Sequence, residues 1–200
     1  MIAIIDYGAG NLFSVKNALD YIGVSCRITA DPGEIRKADE IILPGVGAFP
    51  DAMRMIREAN LADLLREQAQ EKPFLGICLG MQILFETGHE FEETQGLGLI
   101  PGDVIHLKEQ EGFKIPHMGW NSLRMKNPCP MLRGIEEGAY VYFVHSFRAD
   151  TKQEYIAADT LYTEPVPALV HRGNVFGAQF HPEKSGEVGL AMLKNFAQLV

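Results

Sequence analysis

The chain has 200 residues, 46% of them hydrophobic and 22% charged, which suits one globular domain over residues 1–200 with a well-buried core. Its formal net charge of -8 excludes nucleic acid as the main partner, because neutralising phosphates needs a basic face. Three cysteines without paired spacing do not make a disulfide framework and fit a reducing, cytoplasmic setting; the apolar start Met1–Asp6 is too short for a signal peptide, and no apolar run approaches the roughly 20 residues of a membrane helix.

Ile2–Asp6 is a continuous apolar run, as expected of a strand covered on both faces. Tyr7-Gly8-Ala9-Gly10 ends it. Asn11 is a candidate N-cap, and Leu12, Val15, Ala18, Leu19 and Ile22 recur at helical spacing until Gly23. Val24–Ile28 and Glu40–Leu43 read as the second and third strands, the latter running into Pro44-Gly45-Val46-Gly47. Asp51–Gln70 is helical, with a break at Ala59-Asn60. Phe74–Ile77 is a fourth strand, and a helix through about Phe85 follows the glycine-flanked Cys78. This alternation predicts an α/β fold: a doubly wound, mostly parallel sheet with helices on both faces. After about Leu97 the character changes. Val104–Leu107, Ile115–Leu123, Ala139–Ala149, Tyr155–Leu161 and Ala168–His181 are β-rich, Arg172-Gly173-Asn174 marks a hairpin turn, and Val188, Met192, Leu193 and Phe196 mark a closing helix. The C-terminal half is therefore expected to complete the sheet and add antiparallel strands.

The densest chemistry lies at Gly76-Ile77-Cys78-Leu79-Gly80. Gly-x-Cys-x-Gly between a strand and a helix is the thiol version of the nucleophile elbow, a sharp turn that lifts a reactive side chain above the sheet edge. Close packing there leaves no room for Cβ atoms two residues either side of the nucleophile, and N–H groups at the helix start favour thiolate. Most free cysteines are inert core; Cys26, inside an apolar strand, reads that way, and Cys129, in Pro128-Cys129-Pro130, reads as a loop residue. A nucleophilic cysteine needs a base and a group to orient that base. His181-Pro182-Glu183 supplies both, since residues i and i+2 of an extended chain point the same way and the Glu183 carboxylate can then fix the imidazole tautomer. On spacing alone, a surface His and Glu at a strand end fit equally.

An oxyanion must also be held. Pro44-Gly45-Val46-Gly47 follows a parallel strand and so falls at the same edge as the elbow, where Gly45 and Gly47 let the backbone approach a ligand. The N–H of Leu79, beside the nucleophile, is a further expected donor. An ordinary glycine-rich turn fits this motif as well; a phosphate loop does not, because no Gly-Lys-Ser/Thr follows. His89, His106 and His171 read as surface or edge residues. No Cys/His cluster suggests zinc, and no metal or cofactor is expected.

Gly76-Ile77-Cys78-Leu79-Gly80-Met81-Gln82 with His181-Pro182-Glu183 resembles the class I, or triad, glutamine amidotransferases. Asp6-Tyr7-Gly8-Ala9-Gly10-Asn11-Leu12, Pro44-Gly45-Val46-Gly47, His117-Met118-Gly119-Trp120-Asn121 and His181-Pro182-Glu183-Lys184-Ser185 are together similar to the glutaminase subunits of imidazole glycerol phosphate synthase within that family. The similarity runs from Asp6 to the closing helix. It implies that Cys78 attacks the carboxamide of L-glutamine, that His181 carries the proton to departing ammonia, that Glu183 orients His181, and that a γ-glutamyl thioester is hydrolysed. It implies an oxyanion hole from the N–H groups of Val46 and Leu79, and glutamine contacts from Gln82, Glu90, His145, Ser146 and Phe147. Many members carry Tyr where Phe147 stands, so the resemblance does not extend to a substrate hydrogen bond from that hydroxyl, while the triad is unaffected. A glutaminase domain fills the chain and leaves nothing to accept ammonia. The resemblance names the partner of the expected heterodimer as the (β/α)8-barrel cyclase subunit HisF, which forms imidazole glycerol phosphate and aminoimidazole carboxamide ribotide in histidine biosynthesis. Asn11, Trp120, Asn121 and Lys184 are interface candidates by family position, tryptophan being enriched among interface anchors; a core tryptophan and a solvated lysine are the plain alternatives. Other class I glutaminase subunits, such as those of anthranilate or aminodeoxychorismate synthase, compete with this reading, as does a catalytically silent binding module. The His-Met-Gly-Trp-Asn segment speaks against the former and the filled triad against the latter.

Overall fold

The computed structural model describes residues 1–199. Strand β1 (Ile2–Ile5) is buried along its whole length: Ile2 and Ile4 enter one apolar layer, Ala3 and Ile5 the other. That is the alternation expected of a strand covered on both faces. Helix α1 (Leu12–Tyr21) buries Val15, Ala18 and Leu19, and Gly23, at φ +75, turns the chain out of it. Strand β2 (Cys26–Thr29) begins two residues later than expected. Helix α2 (Pro32–Lys37) went unrecognised in the sequence; Asp31 caps it by accepting the Glu34 N–H at 2.8 Å, with Pro32 at its first position. Strand β3 (Glu40–Gly45), helices α3 (Phe49–Glu58) and α4 (Ala62–Glu71), broken near Asn60 at φ 55, strand β4 (Phe74–Cys78) and helix α5 (Leu79–Gln82) complete the N-terminal half. Helix α5 stops at Gln82 rather than at Phe85. Leu84 and Phe85 instead bond three residues back, to Met81 and Gln82. The apolar run that suggested a longer helix is buried on all sides, so its apolarity reports enclosure rather than one helical face.

Beyond this lie short strands β5 (Thr87–Gly88), β6 (Thr94–Gln95) and β7 (Asp103–His106), then β8 (His117–Ser122), β9 (Arg124–Met125), β10 (Tyr140–His145), β11 (Phe147–Asp150), β12 (Ile156–Leu161), β13 (Pro165–Arg172) and β14 (Val175–Ala178), closed by helix α6 (Gly186–Phe196). The main sheet has eight strands in the order β2-β1-β3-β4-β14-β13-β12-β9. The strands from β2 to β14 are parallel, and β13, β12 and β9 continue antiparallel. The fold is thus mixed α/β with antiparallel strands in its C-terminal half, as expected. The apolar run Ala139–Ala149 is not one strand. It breaks at Ser146: β10, before the break, pairs with β8, and β11, after it, pairs with β7, in two smaller sheets. Among the described residues, no helix is long and apolar enough to cross a membrane.

Candidate active site

Cys78 ends β4 at φ 54 and ψ -113, a backbone state that costs a non-glycine residue about 1–3 kcal/mol and persists only where its surroundings impose it. The two flanking glycines show how. A Cβ on Gly80 would stand 1.8 Å from the Leu43 carbonyl oxygen, and one on Gly76 would stand 2.5 Å from that of Gly80. Gly45 lies opposite Cys78 in the β3–β4 register, and a Cβ there would sit 2.5 Å from the Gly80 nitrogen. The Pro44–Gly47 loop therefore rests directly on the elbow.

His181 follows β14. Its N–H donates to the Tyr142 carbonyl at 2.9 Å, and its own carbonyl accepts the Ser185 hydroxyl at 2.6 Å. Nδ1 lies 2.8 Å from Glu183 Oε1; a carboxylate only accepts, so the ring proton sits on Nδ1. The route to this pairing differs from the expected extended chain. Pro182–Lys184 is a 3₁₀ turn that folds Glu183 back onto the ring. Nε2 is buried and makes no hydrogen bond of regular geometry among the described residues. Burial acts to lower the pKa of His181, but the neighbouring Cys78 and the Glu183 carboxylate outweigh it and push it up to about 9. The ring thus holds an added proton readily, which suits a group that takes one from a thiol and passes it to a leaving group.

A cavity of about 380 Å³ opens above Cys78 and His181, and Val46, Gly47, Leu79, Gln82, Glu90, His145, Ser146 and Phe147 all line it. Gly45 is buried beneath, and Glu183 stands behind His181. Glu90 does more than face the cavity: its Oε2 accepts the Phe49 N–H at 2.8 Å and ties down the start of α3, just past the Pro44–Gly47 loop. His145 points Nδ1 at the Phe147 carbonyl at 2.8 Å. Phe147 packs edge-on against the His106 ring, so here the backbone of residue 147 does the polar work. Gln179 went unnoticed in the sequence. It is fully buried, accepts the Gln82 amide at 3.0 Å and holds Nε2 4.0 Å from Cys78 Sγ.

The four interface candidates separate. Trp120 is not core: it is 55% exposed, on the same face of the β8–β10 pair as Met118 and Tyr140. Lys184 is exposed and makes no ion pair among the described residues. Asn11 holds the N-cap position of α1 but makes no side-chain capping bond among the described residues, so the expected cap is not formed there. The amide of Asn121 is turned onto its own chain, donating to Leu161 O at 3.0 Å and accepting from Ser122 N–H at 2.8 Å. All three cysteines are free. Cys129 is buried in its loop. Cys26 lies half-buried on the edge strand β2 rather than in the core.

An elbow cysteine, a carboxylate-backed histidine and a doubly wound sheet define a class of thiol-dependent amide hydrolases, and the glutamine amidotransferase class-I family model matches residues 3–199: the chain belongs to that family. It is 52% identical to the imidazole glycerol phosphate synthase subunit HisH of Bacillus cereus, over 100% of this chain and 95% of that one. It is 50% identical to the protein of the same name from Listeria monocytogenes serotype 4a, over 100% and 96%. Among solved structures it superposes on PurLQS from Thermotoga maritima with a TM-score of 0.75 at 23% identity, over 98% of this chain and 96% of that one. A crystal structure of a glutamine amidotransferase gives the same TM-score at 19% identity, over 98% and 99%. These two superpositions speak for the fold.

Proposed function

We propose that this chain is the glutaminase subunit of an imidazole glycerol phosphate synthase, acting as a single amidotransferase domain in the cytoplasm. The observation that carries the reading is the His181–Glu183 pair at 2.8 Å beside an elbow cysteine in one cavity, in a chain that matches HisH relatives from end to end. In this mechanism Cys78 gives its thiol proton to His181 as its sulfur attacks the carboxamide carbon of glutamine, and the oxyanion is held by the N–H groups of Leu79 and Val46. His181 protonates the amide nitrogen, the C–N bond breaks, and ammonia leaves a γ-glutamyl thioester. A water that gives its proton to His181 then cleaves the thioester, releasing glutamate and restoring the thiol. Glu183 keeps His181 in the productive tautomer. Gln82, His145, Ser146, Phe147 and the glycines Gly45 and Gly47 shape the cradle, and Glu90 faces the α-ammonium group of the substrate.

Ammonia released into water would be protonated and lost, so the partner is a cyclase that accepts it directly. We take this to be the (β/α)8-barrel subunit HisF, docked through Trp120, Lys184, Asn11 and Asn121 in a heterodimer. The test is Cys78→Ala in the assembled complex. Glutamine-dependent product formation should vanish, while ammonia-dependent formation and the complex itself persist. Glutamine turnover surviving the substitution would contradict the assignment.

A further inference from the structure

The carbonyl of Phe147 is the pivot of a hydrogen-bond chain that the triad does not use. It takes His145 Nδ1 at 2.8 Å and Gln82 Nε2 at 3.1 Å. A carbonyl only accepts, so every group beyond it has its role dictated. His145 carries its proton on Nδ1 and offers a lone pair at Nε2. His117 Nδ1, 3.0 Å from that lone pair, must donate. His117 Nε2 is then an acceptor, and it faces the Asn121 amide nitrogen at the longer distance of 3.5 Å. On the other arm, the Gln82 amide nitrogen also donates to Gln179 Oε1 at 3.0 Å. This turns the Gln179 NH2 toward Cys78 Sγ, 4.0 Å away.

The surroundings hold this arrangement. His117 is stacked between the Phe143 ring at 4.7 Å and the Tyr162 ring at 4.0 Å, so its plane is fixed. Burial pushes the pKa of His117 down to about 4, and burial foremost pushes that of His145 down to about 3. Both rings stay neutral, as a one-directional chain requires, since a second proton on His145 would set donor against donor. The chain therefore runs from strand β8, which carries the exposed Trp120, to the glutamine cradle and the nucleophile.

We propose that His117 and Gln179 are positioning residues: His117, through His145, holds the Phe147 carbonyl and with it the Ser146–Phe147 cradle, and Gln179, through Gln82, presents a donor to the sulfur of Cys78. This rests on the glutaminase reading above. Two measurements test it on the full chain with its cyclase partner. Nitrogen-15 NMR of the histidine rings should show the Nδ1–H tautomer for both His117 and His145; an Nε2–H tautomer on His145 would overturn the chain. Steady-state kinetics then separate the arms. His117→Leu should raise KM for glutamine about tenfold or more with kcat little changed, the scale of a lost buried hydrogen bond. His117→Asn, which keeps a donor where Nδ1 stands, should restore KM. Gln179→Met should lower kcat about tenfold with little change in KM. An unchanged KM in His117→Leu, or equal losses in the leucine and asparagine variants, would reduce His117 to packing and sink the proposal. A wild type unable to use glutamine would instead defeat the functional reading, with the tautomers unaffected.

Discussion

At the scale of single residues, the decisive balance is at His181. Its pKa is raised from 6.5 to about 9 in the fold. The group therefore contributes stability that is fully present below about pH 6.5 and lost as pH rises through 9. Glu183→Gln removes one of the two influences that raise it. NMR should show the ring titrating lower, and glutaminase turnover should fall by about 10³–10⁴-fold, the scale seen when a base loses its orienting acid. An unmoved titration would mean that Glu183 does not face the ring in solution. Glu40 runs the opposite way. It is buried at the far end of β3 with Oε1 unpartnered among the described residues, and burial pushes its pKa up to about 7 despite the nearby N-terminal ammonium. The fold disfavours its charged form, so stability is lost as pH rises from about 4.5 to 7. Glu40→Gln should raise Tm at pH 8, by up to roughly 1–3 kcal/mol in stability, and leave it nearly unchanged at pH 4.5; the same gain at both pH values would contradict this. The grouping of Cys78, His181 and Glu183, the proposed triad, was legible because glycine spacing and the His-x-Glu interval are local. Gln179 was not, since a lone glutamine in the run Val175–Phe180 carries no pattern until the fold sets it against Gln82 and Cys78.

At the scale of elements, the elbow exists because three backbone segments touch: β3 at Leu43 and Gly45, β4 at Gly76, and α5 at Gly80. Gly80→Ala puts a methyl group into the Leu43 carbonyl, with no flexible side chain to yield. It should collapse glutaminase activity and lower Tm. Among the described residues a Cβ on Gly47 meets nothing within 4 Å, so Gly47→Ala is limited by φ +98 and should cost about 1–2 kcal/mol. Equal stability losses in the two variants would refute this contact account. The parallel strands were readable because burial on two faces leaves a continuous apolar run, and α1, α3 and α4 because burial of one helix face leaves a period in the sequence. The division of Ala139–Ala149 was not. Its break is set by tertiary pairing, with the Ser146 carbonyl taking the Leu107 N–H at 2.9 Å.

At the scale of the molecule, the sheet brings the carboxyl ends of β3 and β4 and the residue that follows β14 to one edge, where sites of doubly wound folds form. Beside that edge the β8–β10 pair presents Met118, Trp120 and Tyr140 to solvent. Trp120→Ala is expected to weaken the cyclase complex by about 2 kcal/mol, as for a central interface anchor. Calorimetric titration reads this directly, and unchanged affinity would move the interface elsewhere. The central claim is that Cys78 is the nucleophile toward glutamine. The most direct test is to treat the assembled complex with a diazo-ketone glutamine analogue and map the adduct by peptide mass spectrometry. The account predicts one adduct, on Cys78, with loss of glutamine-dependent but not ammonia-dependent synthesis. No adduct on Cys78, or an adduct on Cys26 or Cys129 with the same loss, would contradict it.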